Sequence, residues 1–219
     1  MSLPLEKTDA SPPIRFASEP ARHLAGVPLE FSDEEQSLKI TGFWMLLVTD
    51  LLIFASLFAS YAVYRPMVAA GPSGAQLFSL GSAIAETLFL LTSSFTVGIA
   101  VWYMRRGRRG AMLAWMAVTL LLGACFLGLE LHEFIADVAR GASWQTSAFL
   151  SSFFLLVSTH GAHVLFGIVW ATAIIVQVLR RGLNVVTARK VYTFSLYWHF
   201  LDIIWVFIFT VVYLGSRIT

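Results

Sequence analysis

Charge is scarce in this chain. Asp, Glu, Lys and Arg make up 13% of its 219 residues, whereas a typical soluble domain carries ~25%. Cysteine is almost absent. The single Cys125 excludes a disulfide framework and any zinc or iron–sulfur site built on several cysteines. Histidine is sparse too, with five in all. Proline is missing where it would interrupt long apolar runs: five of the seven lie in residues 1–39, and the other two are Pro66 and Pro72. What is abundant is apolar surface, with 58% hydrophobic residues and a mean hydropathy of +0.75. This balance excludes a disordered chain, a nucleic-acid-binding domain and an ordinary soluble enzyme. It indicates an all-α integral membrane protein with no nucleic-acid partner.

Residues 1–39 stand apart, with seven of the thirteen acidic residues and no apolar run that could serve as a signal peptide. They are expected to form a polar, mostly disordered cytoplasmic tail, in which Asp33, Glu34 and Glu35 read as a solvated acidic stretch, with a docking patch as the alternative. Residues 40–219 are expected to form the membrane domain. Five apolar stretches predict helices at about 40–64, 80–104, 111–135, 147–179 and 190–215. Each exceeds the ~20 residues needed to cross a ~30 Å hydrocarbon core. The fourth is overlong, and tilt or projection beyond the bilayer is expected for it. Nothing between the spans offers room for a soluble catalytic domain.

Basic residues orient the bundle. Arg22, Lys39, Arg105, Arg106, Arg108, Arg109, Arg180, Arg181, Arg189 and Lys190 fall on one side, against Arg65, Arg140 and Arg217 on the other. That places the N-terminus in the cytoplasm and the C-terminus in the periplasm. Trp44, Trp102, Tyr103, Trp115 and Trp144 lie near span ends, where an aromatic belt belongs.

The informative residues are the ionisable ones inside the spans, each costing ~2.5–3.5 kcal/mol at the bilayer centre on insertion scales. They are Asp50, Glu86, Glu130, His132, Glu133, His160, His163, His199 and Asp202. Asp50, His160, His163 and Asp202 lie near mid-span. Glu130, His132 and Glu133 lie in the last turns of the third span, where a cluster reaching water is one reading. His160 and His163 share a helix face, but a haem–copper centre needs several histidines on different helices at one depth. Only His199 could join them, so interhelical hydrogen bonding is the expected role and no metal or cofactor ligand is assigned. In the fifth span His199 and Asp202 form a polar pair framed by Trp198 and Trp205. The small-residue pairs Ala55/Ala59, Ala124/Gly128 and Gly167/Ala171 suit a tight bundle.

The run Trp198-His199-Phe200-Leu201-Asp202-Ile203-Ile204-Trp205 resembles the last-helix signature of haem-copper respiratory oxidase subunit III. Glu86-Thr87 with Ser93-Ser94, Phe126 through Glu133-Phe134, and Thr159-His160-Gly161-Ala162-His163-Val164 resemble three further stretches of that family, in the same order. Many family members have Gln where Glu130 stands. The five-helix plan, Thr41-Gly42-Phe43-Trp44 and Arg180-Arg181-Gly182-Leu183 resemble the subunit of the bacterial cytochrome bo-type ubiquinol oxidases.

The resemblance implies an accessory subunit without catalytic, cofactor-binding or metal-binding residues of its own. Haem and copper would belong to a catalytic subunit I, with subunit II and a small subunit IV as further partners. Phospholipid would lie between the helices, and the complex would sit in the bacterial inner membrane. Asp50, Glu86, Glu130, Glu133, His160, His163, His199, Asp202, Trp198 and Trp205 are then structural or lipid-contact candidates. The family also includes cytochrome c oxidase and nitric-oxide-reductase-associated homologues. A stand-alone proton-coupled transporter using Asp50, Glu86 and Asp202 is the contrasting class, disfavoured by an odd span count and unbroken helices. A transient assembly factor is the third.

Overall fold

A computed structural model describes residues 34–68 and 80–218. The polar tail through residue 33, with Arg22 and Asp33, lies outside the described residues, as does loop 69–79 with Pro72. The described residues form helices α1 (Glu34–Tyr64), α2 (Leu80–Arg105), α3 (Arg109–Ala139), α4 (Ala148–Arg181) and α5 (Val185–Ile208). A π-helical stretch, Phe209–Leu214, continues α5 into a last turn, Gly215–Ile218. Five of these helical units are long and apolar enough to cross a membrane, and no strand occurs among the described residues.

α1 begins at Glu34, ahead of the expected residue 40, because the polar stretch from Glu34 to Lys39 contains no Pro or Gly to stop the helix. α5 begins at Val185 and not near 190. Asn184 and Thr187 form a reciprocal capping box that starts the helix there, with bonds of 2.9 and 2.8 Å. The 34 residues of α4 amount to ~51 Å at 1.5 Å per residue, well beyond a hydrocarbon core. Ser147 caps its start by accepting from Leu150 N–H at 3.2 Å. Tight turns at Gly107 (φ 68°) and Gly182 (φ 73°) join α2 to α3 and α4 to α5, in a conformation only glycine adopts freely. Successive helices therefore run antiparallel, and the basic ends of α2–α3 and α4–α5 share one side.

α5 packs against α1, α2 and α4, while α3 packs against α2 and α4. In the most apolar 18-residue stretch of the α5 span 44% of the residues are buried within the chain, against 17% in that of α1, so α5 is central and α1 peripheral. The outer surface is apolar, with Leu52, Phe95 and Ile135 exposed, as a lipid- or partner-facing surface must be.

Two expectations need correction. Of the small-residue pairs, only Gly167/Ala171 is buried between helices. Ala55/Ala59 and Ala124/Gly128 face outward, because α1 and α3 turn their neighbouring faces inward, through Phe54 and Phe126. The last helix is also not regular throughout. Its π-helical turn carries Tyr213 into the core, where the ring lies 6.1 Å from Trp205 and 6.4 Å from Phe153.

Candidate functional site

The inner face of α5 is held to α2 by four side-chain links, two of them at one serine. Trp198 Nε1–H donates to Ser93 Oγ at 2.9 Å, and Trp205 Nε1–H donates to Thr87 Oγ1 at 3.1 Å. Seven residues separate the two indoles, which is two helical turns. Each hydroxyl uses its own proton on its helix backbone, Ser93 to Leu90 O and Thr87 to Ala83 O, both at 2.7 Å. Each keeps a lone pair for an indole, which can only donate. Ser94 Oγ lies 2.7 Å from His199 Nδ1 and also bonds the Asp202 carboxyl. The His–Asp pair thus meets at one α2 serine.

Glycines make room for the Trp198 ring. A methyl group on Gly123 of α3 or on Gly167 of α4 would sit 2.8 Å from its ring carbons. Trp198 is consequently wedged where α2, α3, α4 and α5 meet.

His160 and His163 behave differently from each other. His160 is fully buried, and neither ring nitrogen has a hydrogen-bond partner among the described residues. Its ring lies in an aromatic box, 5.8 Å from Phe126, 5.3 Å from Trp205 and 6.4 Å from Phe54. His163 turns its Nδ1 back to Thr159 O on its own helix at 2.7 Å. The interhelical hydrogen bonds expected of these rings are not formed: aromatic carbon encloses His160, and His163 bonds its own helix at the edge of a groove. The α4–α5 link here is Tyr197, whose hydroxyl donates to His163 O at 3.0 Å.

The carboxyls separate by depth. Glu86 is fully buried, with neither oxygen partnered among the described residues. Glu130 is buried against Gly161. Glu133 is half-buried and accepts from the Ser82 hydroxyl, and His132 is exposed. Asp50 is half-buried beside Phe43, His163, Trp170 and Tyr197, in a groove of about 550 Å³. Among the described residues no three His, Cys, Asp or Glu side chains could hold a metal ion.

The family model described as cytochrome c oxidase subunit III matches residues 33–217, which takes in all five spans and the α2–α5 lock. The chain belongs to the cytochrome c oxidase subunit III family. Among its relatives in the family is quinol oxidase subunit 3 of Bacillus subtilis (strain 168), 46% identical over 87% of this chain and 93% of that protein. Cytochrome bo(3) ubiquinol oxidase subunit 3 of Pseudomonas aeruginosa is 44% identical over 88% and 92%. Cytochrome c oxidase subunit 3 of Bacillus sp. (strain PS3) is 47% identical over 82% and 87%. Identity to subunits with quinol and with cytochrome c in their names is therefore nearly equal.

For this subunit III chain, residue-by-residue reading singled out Trp198, Trp205, His199 and Asp202 but not what receives them. The family resemblance marks Thr87, Ser93 and Ser94 but does not pair them with the α5 donors. Their spacing of six to seven matches that of the α5 donors, and that register was the available signal. Asp137 was also missed, although it continues the Glu130, Glu133 face by one turn.

Proposed function

We propose that this chain is subunit III of a proton-pumping haem-copper terminal oxidase, of the ubiquinol-oxidising cytochrome bo type, in the inner membrane of a bacterium. It stabilises the catalytic subunit and supports its proton uptake, and holds no redox centre itself. The observation that carries the reading is the family match across every membrane helix. The geometry supports it, since Trp198, Trp205 and His199 of α5 are engaged with α2 in structural hydrogen bonds. The partners are a catalytic subunit I, a subunit II and a small subunit IV. The N-terminus and the Arg-rich α2–α3 and α4–α5 turns face the cytoplasm, by the excess of basic residues there. Phospholipid acyl chains fit the outer grooves, the Asp50 groove among them.

Cytochrome c as donor is the second reading, favoured by the Bacillus sp. relative at 47% identity. Purification through a tag on this chain, followed by a haem spectrum and by turnover with ubiquinol or reduced cytochrome c, tests both. Haem in stoichiometric amount and ubiquinol turnover are expected, with no haem bound to the chain expressed alone. A haem-free preparation that conducts protons in vesicles would establish the transporter class instead.

A further inference from the structure

At the end of the bundle away from the Arg-rich turns lies a partly enclosed cavity of about 230 Å³. Its polar lining comes from Ser82 of α2 and from Glu130, His132, Glu133, Asp137 and Arg140 along α3. Glu130, Glu133 and Asp137 recur at intervals of three and four residues, so they share one helix face. Glu130 is 4% exposed, and neither of its oxygens has a protein hydrogen-bond partner among the described residues. Opposing it are Gly161 of α4, whose missing methyl leaves space for the carboxyl, and Phe153. Glu86 of α2 lies within electrostatic reach of Glu130 and Glu133. The buried phenol of Tyr213, carried in by the π-helical turn, is within reach of all four carboxyls.

Little positive charge answers them. Arg140 sits 3.5 Å from Asp137, but its side chain is 68% exposed at the cavity rim. His132 lines the cavity at its exposed rim, and the α4 neighbour His160 is enclosed by aromatic rings. Carboxylates crowded into a low-dielectric space cannot all keep their charge when, among the described residues, only Ser82 donates to Glu133, Arg140 lies beside Asp137 and no protein donor reaches Glu130. Something positive must neutralise them, and no three of these groups are arranged to ligate a metal. The space, by contrast, is roomy enough for several waters, each of which needs only ~10–15 Å³ of such volume and two to four polar partners.

We propose that this cavity is a binding site for hydrated protons. Water in it donates to the two Glu130 oxygens, and the excess protons are shared among Glu130, Glu133 and Asp137. They exchange with the aqueous face at the Arg140 rim. The site goes beyond the accessory-subunit reading, and the oxidase complex serves only to keep the chain in its native setting.

The test is infrared difference spectroscopy on the intact solubilised complex, in light and heavy water. The wild type is expected to show a protonated-carboxyl stretch that shifts in heavy water, and Glu130→Gln is expected to lose one carboxyl's intensity from it. Exchanging KCl for NaCl or CaCl2 is expected to leave the band in place. Equal intensity in wild type and Glu130→Gln would overturn the proposal. So would a band insensitive to heavy water, or one abolished by Na+ or Ca2+, which would mark a metal-cation site. Should Glu130→Gln not assemble, Glu133→Gln at the half-buried position is expected to move the remaining band, and an unmoved band there overturns the proposal. A wild-type preparation without haem would count against the subunit reading alone.

Discussion

Trp198 and Ser93 form the innermost link between α5 and α2, an indole N–H donating to a hydroxyl at 2.9 Å with both residues buried. In a bilayer there is no hydrophobic gain from bringing helices together, because lipid is as apolar as the helix faces. Packing and a few hydrogen bonds must do it. Trp198 contributes both, since its ring is also gripped between Gly123 and Gly167.

Ser93→Ala is expected to leave the indole N–H without an acceptor. The cost should lie between the ~0.6 kcal/mol averaged by membrane hydrogen bonds and the ~1–3 kcal/mol of an orphaned buried donor. Thermal dissociation of the complex should occur at lower temperature than in wild type. In a double-mutant cycle with Trp198→Phe, the second change should cost less in the Ser93→Ala background. Additive losses would show that the bond is energetically silent.

Gly123→Ala and Gly167→Ala should each destabilise by ~1–3 kcal/mol through overpacking. The added methyl meets a rigid indole at 2.8 Å, and the ring cannot swing away without breaking its bond to Ser93. Gly98→Ala serves as the control, because nothing lies within 4 Å of its added methyl. It should change stability by less than ~0.5 kcal/mol. Equal effects at Gly98 and Gly123, read by thermal unfolding in detergent, would sink the packing argument.

His160→Phe should be neutral or stabilising by ~1 kcal/mol, since an unpartnered buried polar ring is replaced by an apolar one among Phe54, Phe126 and Trp205. Turnover per assembled complex should be unchanged. A large loss of turnover with assembly intact would show that the imidazole has a task beyond filling its box.

Helix number and the polar positions were legible because both follow from period and cost: five runs long enough to span, and nine ionisable groups where lipid penalises them. Trp198, His199, Asp202 and Trp205 stood out on α5 because a His–Asp pair between indoles is rare in a span. Their acceptors were not legible. Thr87 and Ser93 satisfy themselves on their own helix, and only the rotation of α2 decides whether they and Ser94 also face α5. The dry surroundings of His160 depend on aromatic residues from three helices far apart in sequence. Tyr213 reaches the acidic cavity through a π-helical turn, which has no proline or glycine to announce it. The outward Ala124/Gly128 pair shows the same limit, since spacing names a stripe but not the side it faces.

Asp202→Leu tests whether the α5 carboxyl has a chemical or a structural role. Asp202 is half-buried and shares Ser94 with His199. Removing the carboxyl frees Ser94 to serve His199 alone, so one bond between α2 and α5 is lost and the other survives. The expected defect is therefore small, near the ~0.6 kcal/mol of an average membrane hydrogen bond. It should appear as a looser bundle or a weaker hold on the catalytic subunit. Initial oxygen consumption per intact complex should stay close to wild type, while activity over many turnovers should decay faster. His199→Phe alone should weaken the bundle by a similar amount, and the double variant should cost less than the sum, because both side chains act through one serine. Abolition of the first turnover in a fully assembled Asp202→Leu complex would assign the carboxyl a direct step in the chemistry, and the accessory role of this α5 pair would have to be given up.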